Sequence, residues 1–312
     1  MANANFTMAE QQKTFQQLLC SAGFTDKLSG QLTLLSVLNS FLSVTASLGN
    51  ALILIALQKE SSIHAPSKLL LRCLATTDLC VGLVAEPVHA TSLISALNEH
   101  WNICHYTSVA DFITGYILCG VSGATLSAIS VDRLLALLLG LRYKQVVTLN
   151  RVYVIIITFW LVATVFSALQ LWNPLISVWY ATVGISLSLI TSIFSYTKIF
   201  LNLRHHQNQV QGHVQQPNQK NQLNIARYRK AVSTAIWLQL TLVACYLPYG
   251  VVLSLKAKSG LSATLCHAWF YTASLVFLNS SLNPILYFWK IEEVRRAVKD
   301  TIRQLLCHYF TS

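Results

Sequence analysis

Asp78 stands inside an apolar run, "LLRCLATTDLCVGLVAEP", where a carboxylate needs either a partner or a proton. Other polar groups sit in similar runs. Asn50 lies in "LGNALIL", and Ser122 precedes Asp132–Arg133 in "CGVSGATLSAISVDRLLAL". Trp160 falls in the next run, and Tyr246 stands two residues before Pro248 in "LVACYLPYG". The last run, "FLNSSLNPILYFWK", carries Asn279, Asn283, Pro284 and Tyr287. A carboxylate, amides and hydroxyls in hydrocarbon supply hard oxygen donors and hydrogen bonds. No HExxH pattern and no nucleophile–base spacing appears within these runs, so no catalytic residue is assigned and an enzyme is disfavoured. A retinal Schiff base is excluded as well, because Ala273–Leu286 contains no lysine.

The elements that must hold these residues follow from composition. The 312 residues are 54% hydrophobic and 11% charged, whereas soluble domains carry roughly a quarter charged residues. Apolar stretches recur at about 32–57, 68–95, 105–139, 152–172, 175–201, 231–255 and 264–289. Each is long enough to cross a bilayer. Residues 1–31 form an outer N-terminus without a cleavable leader, so the first run reads as an uncleaved anchor. His205–Asn224, rich in Gln, Asn and His, reads as a flexible loop.

Lys and Arg set the orientation. Eighteen fall on one side of the spans and four on the other (Lys13, Lys27, Lys256, Lys258), which places the N-terminus outside and the C-terminus in the cytoplasm. The net charge of +11 is then a topological signature and a surface for cytoplasmic partners or anionic lipid, and nucleic-acid binding is excluded. The sequon at Asn5 fits the outer side. Residues 290–312 form a tail, and from Phe288 onward Phe288, Ile291, Val294, Val298, Ile302 and Leu305 recur at helical steps between basic residues. They predict an interfacial helix, with Cys307 beyond it open to palmitoylation or left as a thiol.

In this order across seven spans, "GN", "LATTD", "SVDRLLAL", Trp160, Tyr196, "CYLP" and "NPILY" resemble the rhodopsin-like (class A) G-protein-coupled receptors. The resemblance implies an all-α membrane fold, a seven-helix bundle with a short amphipathic eighth helix in the cytoplasm. It implies a plasma-membrane protein that binds an extracellular ligand and activates a heterotrimeric G protein as the sixth helix swings outward, with arrestin as a further partner. It gathers Asn50, Asp78, Ser122, Asn279 and Asn283 into one polar cluster. That cluster is either a hydrated network or a site for an allosteric sodium ion on Asp78, with no other cofactor. Asp132, Arg133, Tyr196, Tyr246, Pro248, Asn283, Pro284 and Tyr287 become the coupling and switch residues, Tyr196 meeting Tyr287 in the active form. The rival reading is a transporter or ion-translocating seven-helix protein. It needs further ionisable residues along a path through the membrane, and the sequence offers none beyond Asp78.

Several departures narrow the resemblance. Family spacing from Arg133 puts a cysteine at Ser108, but the nearest is Cys104, and the connection near Leu171–Trp179 is short and without cysteine. The usual outer disulfide therefore cannot form. A pair among Cys20, Cys104 and Cys266 remains open, Cys20–Cys266 being one choice. Span five has Ser188 in place of the family's proline. These absences resemble the cluster of melanocortin, lipid and adenosine receptors, so a peptide, lipid or nucleoside ligand stays open. Gly115 occupies the position of the amine receptors' carboxylate, and Tyr246 that of the family's tryptophan. The remaining pocket candidates are Cys119, Tyr249 and the pair Glu86 and Asp111. That pair is expected either to meet and bind a basic group or divalent cation, or to lie at a solvated rim.

Overall fold

A computed structural model describes residues 19–59, 61, 63–212, 237, 240–256, 258, 263–290, 294–300 and 302–303. Asn5 and Cys307, the sites of the expected modifications, lie outside the described residues. The first span is α1 (Ala22–Lys59). The second is divided into α2 (Ala65–Cys80), a π-helical turn (Val81–Ala85) and α3 (Glu86–Leu97). The third is α4 (Trp101–Leu139), which a short turn connects to the single-turn α5 (Tyr143–Val146). The fourth and fifth are α6 (Leu149–Trp172) and α7 (Pro174–Gly212). The sixth is α8 (Leu240–Lys256), the seventh α9 (Ala263–Lys290), and α10 covers 294–300 in the tail.

Several helices outrun their apolar stretches. α1 begins at Ala22, ahead of the run at 32, and α7 continues to Gly212, so residues 205–212 of the expected loop are helical. Asn173 alone separates α6 from α7, and Pro174 opens α7, where its missing N–H costs nothing. By length and composition, four described helices can cross a membrane: Ser29–Lys59, Trp101–Leu139, Leu149–Leu169 and Val178–Asn202. The others fall short for physical reasons. The π turn cuts the second span, the described part of the sixth is short, and the seventh is diluted by Asn and Ser.

The burial pattern is that of a protein solvated by hydrocarbon. Leu34, Val37, Phe41, Val44 and Leu48 of α1 lie exposed on one stripe, as do Val154, Ile157, Leu161 and Val165 of α6. Inside sit Asn39, Asn50, Thr77, Asp78, Ser122 and Asn283. Burial of small polar residues joins helices by hydrogen bonds where lipid tails offer no hydrophobic drive. Asn39 Nδ2 donates to Ser274 Oγ at 2.9 Å, and Ser281 donates to the Leu42 carbonyl at 3.0 Å. Gly49 lets α1 press against α9, since a Cβ there would meet the Pro284 ring at 2.9 Å. α4 packs against the second, fourth and fifth spans and is the central post of the described bundle. At the inner end Val294, Ala297 and Val298 of α10 dock into the main apolar cluster with Tyr287 and Leu57. The buried pair Val294 and Val298 lies on the face that the helical spacing predicts.

The π turn has a local cause. Pro87 has no N–H, so a carbonyl one turn earlier loses its helical donor. The Glu86 N–H reaches back five residues to the Val81 carbonyl, which defines the wide turn. The Gly82 carbonyl instead accepts from Ser43 Oγ at 2.7 Å. Gly82 permits that approach, because a Cβ would meet the Ser47 backbone nitrogen at 2.8 Å. The extra residue in the turn rephases the helix beyond it and brings Glu86 inward.

Candidate functional site

Asp78 is fully buried and both its oxygens are occupied. Ser122 and Ser280 donate to Oδ1 at 2.8 and 2.9 Å, and Asn283 Nδ2 donates to Oδ2 at 2.7 Å. The second, third and seventh spans therefore meet on one carboxylate. Asn50 joins indirectly: its Nδ2 donates to the Ser280 carbonyl at 3.0 Å and to the Ala46 carbonyl at 2.9 Å. Asn279 departs from the expected cluster, because neither its Nδ2 nor its Oδ1 has a hydrogen-bond partner among the described residues. Ser280, which sequence reasoning missed, takes its place. The signal was present in "NSSLN", since residues three apart share a helical face and Ser280 stands three before Asn283.

At the cytoplasmic end Asp132 is enclosed. Ser67 donates to Oδ2 at 2.9 Å, the Tyr143 hydroxyl donates to Oδ1, and Arg133 lies 3.6 Å away. Burial, and then the bond to Asp132, push the Tyr143 phenol up to about 12, so it stays protonated and donates. Neither Ser67 nor Tyr143 was singled out by sequence. Arg133 keeps about a third of its side chain exposed while Asp132 is buried. Tyr196 donates to Ser130 at 3.1 Å, and the buried Tyr287 hydroxyl has no partner among the described residues. The two tyrosines are thus not bonded to each other in this conformation. The chain is helical through Pro248 and Pro284.

The outer half corrects the expectation for Glu86 and Asp111. Asp111 pairs with His89, whose Nδ1 lies 2.8 Å from Oδ2. Glu86 is fully buried and neither oxygen has a partner among the described residues. The two carboxylates are neither bonded to each other nor at a solvated rim. Among the described residues no group of three His, Cys, Asp or Glu could hold a metal ion, so a divalent site on this pair is not supported. Buried Glu86 also corrects the view that Asp78 is the only ionisable group within the membrane. His89 is the partner that the sequence reading missed. Its ring also packs on Phe277 at 5.2 Å.

A cavity of about 1150 Å³ contains Asp111, Gly115, Cys119, Tyr246 and Tyr249 on its wall, together with His89. Glu86 does not line it. The Tyr246 hydroxyl donates to the Cys119 carbonyl at 3.1 Å. Above the cavity Cys20 is bonded to Cys104, which ties the start of the described chain to the top of α4. Cys266 is left as a buried thiol in the same apolar cluster, so the Cys20–Cys266 alternative is not the one formed.

The family model described as "7 transmembrane receptor (rhodopsin family)" matches residues 49–174 and 169–287. The chain belongs to the rhodopsin family of seven-transmembrane receptors. This receptor is 23% identical to trace amine-associated receptor 8c of Rattus norvegicus over 95% of its own length and 94% of the relative's. It is 23% identical to melanocortin receptor 5 of Mus musculus, covering 86% of this chain and 83% of that one. A shorter match, 32% identical, covers 43% of the chain and 34% of the alpha-2B adrenergic receptor of Echinops telfairi. Membership makes the chain a multi-pass membrane receptor that binds ligand and couples to G proteins, and displaces the transporter alternative. The family consists of signalling receptors rather than enzymes. The likeness to a melanocortin receptor is compatible with the narrower cluster that the missing proline and disulfide suggested.

Proposed function

We propose that this receptor sits in the plasma membrane with its N-terminus outside and that Asp132 restrains Arg133 in its resting form. An outer ligand favours a second packing of the helices in which the sixth span swings outward and Arg133 is released to a heterotrimeric G protein. This is a shift between two populations, not a chemical step. The observation that carries the reading is the enclosure of Asp132. Hydroxyls from two elements and the neighbouring guanidinium converge on one buried carboxylate, so displacing Tyr143 or Ser67 loosens its hold on Arg133. Pro248 and Pro284 are the pivots in this account, and Tyr196 reaches Tyr287 only after the movement. Arrestin is a further partner of the same inner face.

The Asp78 cluster fits a sodium ion. Asn50 and Asn283 each have a side-chain oxygen that is buried and unpartnered among the described residues, and hard oxygens suit a small hard cation. Asp78, Ser122, Ser280 and Asn283 would hold the ion, which would supply positive charge that steadies the resting packing. Sodium would then lower basal exchange, and Asp78→Asn would remove that dependence. Sensitivity persisting in the variant counts against the site.

The test of coupling is guanine-nucleotide exchange on purified heterotrimers. Arg133→Ala is expected to bring exchange down to the level without receptor while surface expression is kept. Unchanged exchange would sink the role of Arg133.

A further inference from the structure

We infer that the ligand of this receptor is a long-chain amphiphile that enters from the bilayer between α6 and α7 and presents a hydrogen-bond-donating head to Asp111. The inference rests on the receptor reading above and names its ligand class.

The cavity is too long for a compact ligand. Asp111 and Asp132 both line it, twenty-one residues apart on one helix, a distance of about 32 Å at ~1.5 Å of rise per residue. That matches the roughly 30 Å of a bilayer's hydrocarbon core. Its volume of about 1150 Å³ exceeds the roughly 300–1,000 Å³ usual for pockets that enclose drug-sized molecules.

Its middle presents carbon. Two of the hydroxyls there are already used: Ser127 donates to the Gly123 carbonyl at 3.0 Å and Tyr246 to the Cys119 carbonyl at 3.1 Å. Gly115 and Gly184 widen the passage, since a Cβ built on either meets nothing within 4 Å. The wall is also open sideways. Val162 of α6 and Trp179, Val183 and Leu187 of α7 line the cavity and are exposed. The stacked rings of Phe166 and Tyr180, 4.8 Å apart, bridge the same two helices. A hydrocarbon chain crosses this opening without losing hydration, whereas a charged ligand from water would not.

The head is fixed by charge. At the outer end the Asp111 carboxylate, which accepts from His89, lies on the cavity wall. A carboxylate there favours a head that donates hydrogen bonds and repels a carboxylate or phosphate.

The experiment uses the full chain in phospholipid nanodiscs and a long-chain N-acylethanolamine with a diazirine in its acyl chain. After irradiation, labelled peptides are mapped by mass spectrometry. Saturable labelling of residues 162–187 is expected, competed by the unlabelled amide and by a long-chain amine but not by the fatty acid of equal length. Gly184→Phe should cut saturable labelling at least ten-fold, and Gly115→Leu should weaken it. Both replace a helical glycine and so do not threaten the fold through propensity. Gly30, away from the cavity, serves as control: Gly30→Phe should label like the parent. Labelling that does not saturate, or that is equal in Gly184→Phe, is bulk lipid on the outer surface and overturns the inference. So does displacement by a basic peptide but not by amphiphiles. Basal exchange on a G protein is measured on the same discs. Exchange that depends on Arg133 without saturable labelling refutes the ligand class alone. Saturable labelling without exchange supports the ligand class and refutes the coupling.

Discussion

Asp78 and Glu86 are both fully buried on the second span, eight residues apart, and their surroundings are opposite. Asp78 accepts three hydrogen bonds from two other spans. Glu86, just past the π turn, accepts none among the described residues. A buried polar group stabilises a fold only when it is partnered, and otherwise charges its desolvation against it. The inner half of the bundle is therefore tied together at Asp78. The outer half carries an unmet acidic group behind the cavity.

The largest effect should come from Asp78→Ala, which strands three buried donors at about 1–3 kcal/mol each. Thermal unfolding in nanodiscs should show the loss, and a midpoint unchanged from the parent would mean that the network does not hold the spans together. Glu86→Met should move the other way, gaining about 1–3 kcal/mol by removing an unpaired polar group of similar size. A destabilisation as large as that of Asp78→Ala would erase the contrast between the two sites. Smallest is the comparison within α9. Ser280→Ala should cost about 1 kcal/mol for its bond to Asp78, while Asn279→Leu should cost nothing or stabilise. The reverse order would put Asn279, not Ser280, on the carboxylate.

Much of this arrangement was legible in the residues. The seven apolar runs and the polar groups inside them follow from the cost of placing polarity in hydrocarbon, and the Asp78–Ser122–Asn283 contact was implied by the resemblance to the receptor family. What escaped depends on phase. Asn279, Ser280 and Asn283 all lie on one face of α9, and the choice between 279 and 280 is made by helix rotation and side-chain length, neither of which spacing reveals. The inward turn of Glu86 depends on a π turn in "CVGLVAEP" whose ingredients, Gly82 and Pro87, are visible but whose Ser43 partner comes from another helix. Ser67 reaches Asp132 from another span, 65 residues away, and Tyr143 reaches it only because the chain turns after α4, so no helical spacing links them. The Cys20–Cys104 bond was one of the open pairings, and connectivity is a property of the folded chain.

The central claim is that Asp132 holds Arg133 back from a G protein, and nucleotide exchange by the parent, Tyr143→Phe and Tyr143→Phe/Arg133→Ala receptors tests it most directly. Removing the Tyr143 hydroxyl takes away a bond to a charged group, about 1.5–3 kcal/mol, so basal exchange should rise several-fold. The second substitution should then return it to the level of heterotrimer alone. Equal exchange by all three would contradict the account.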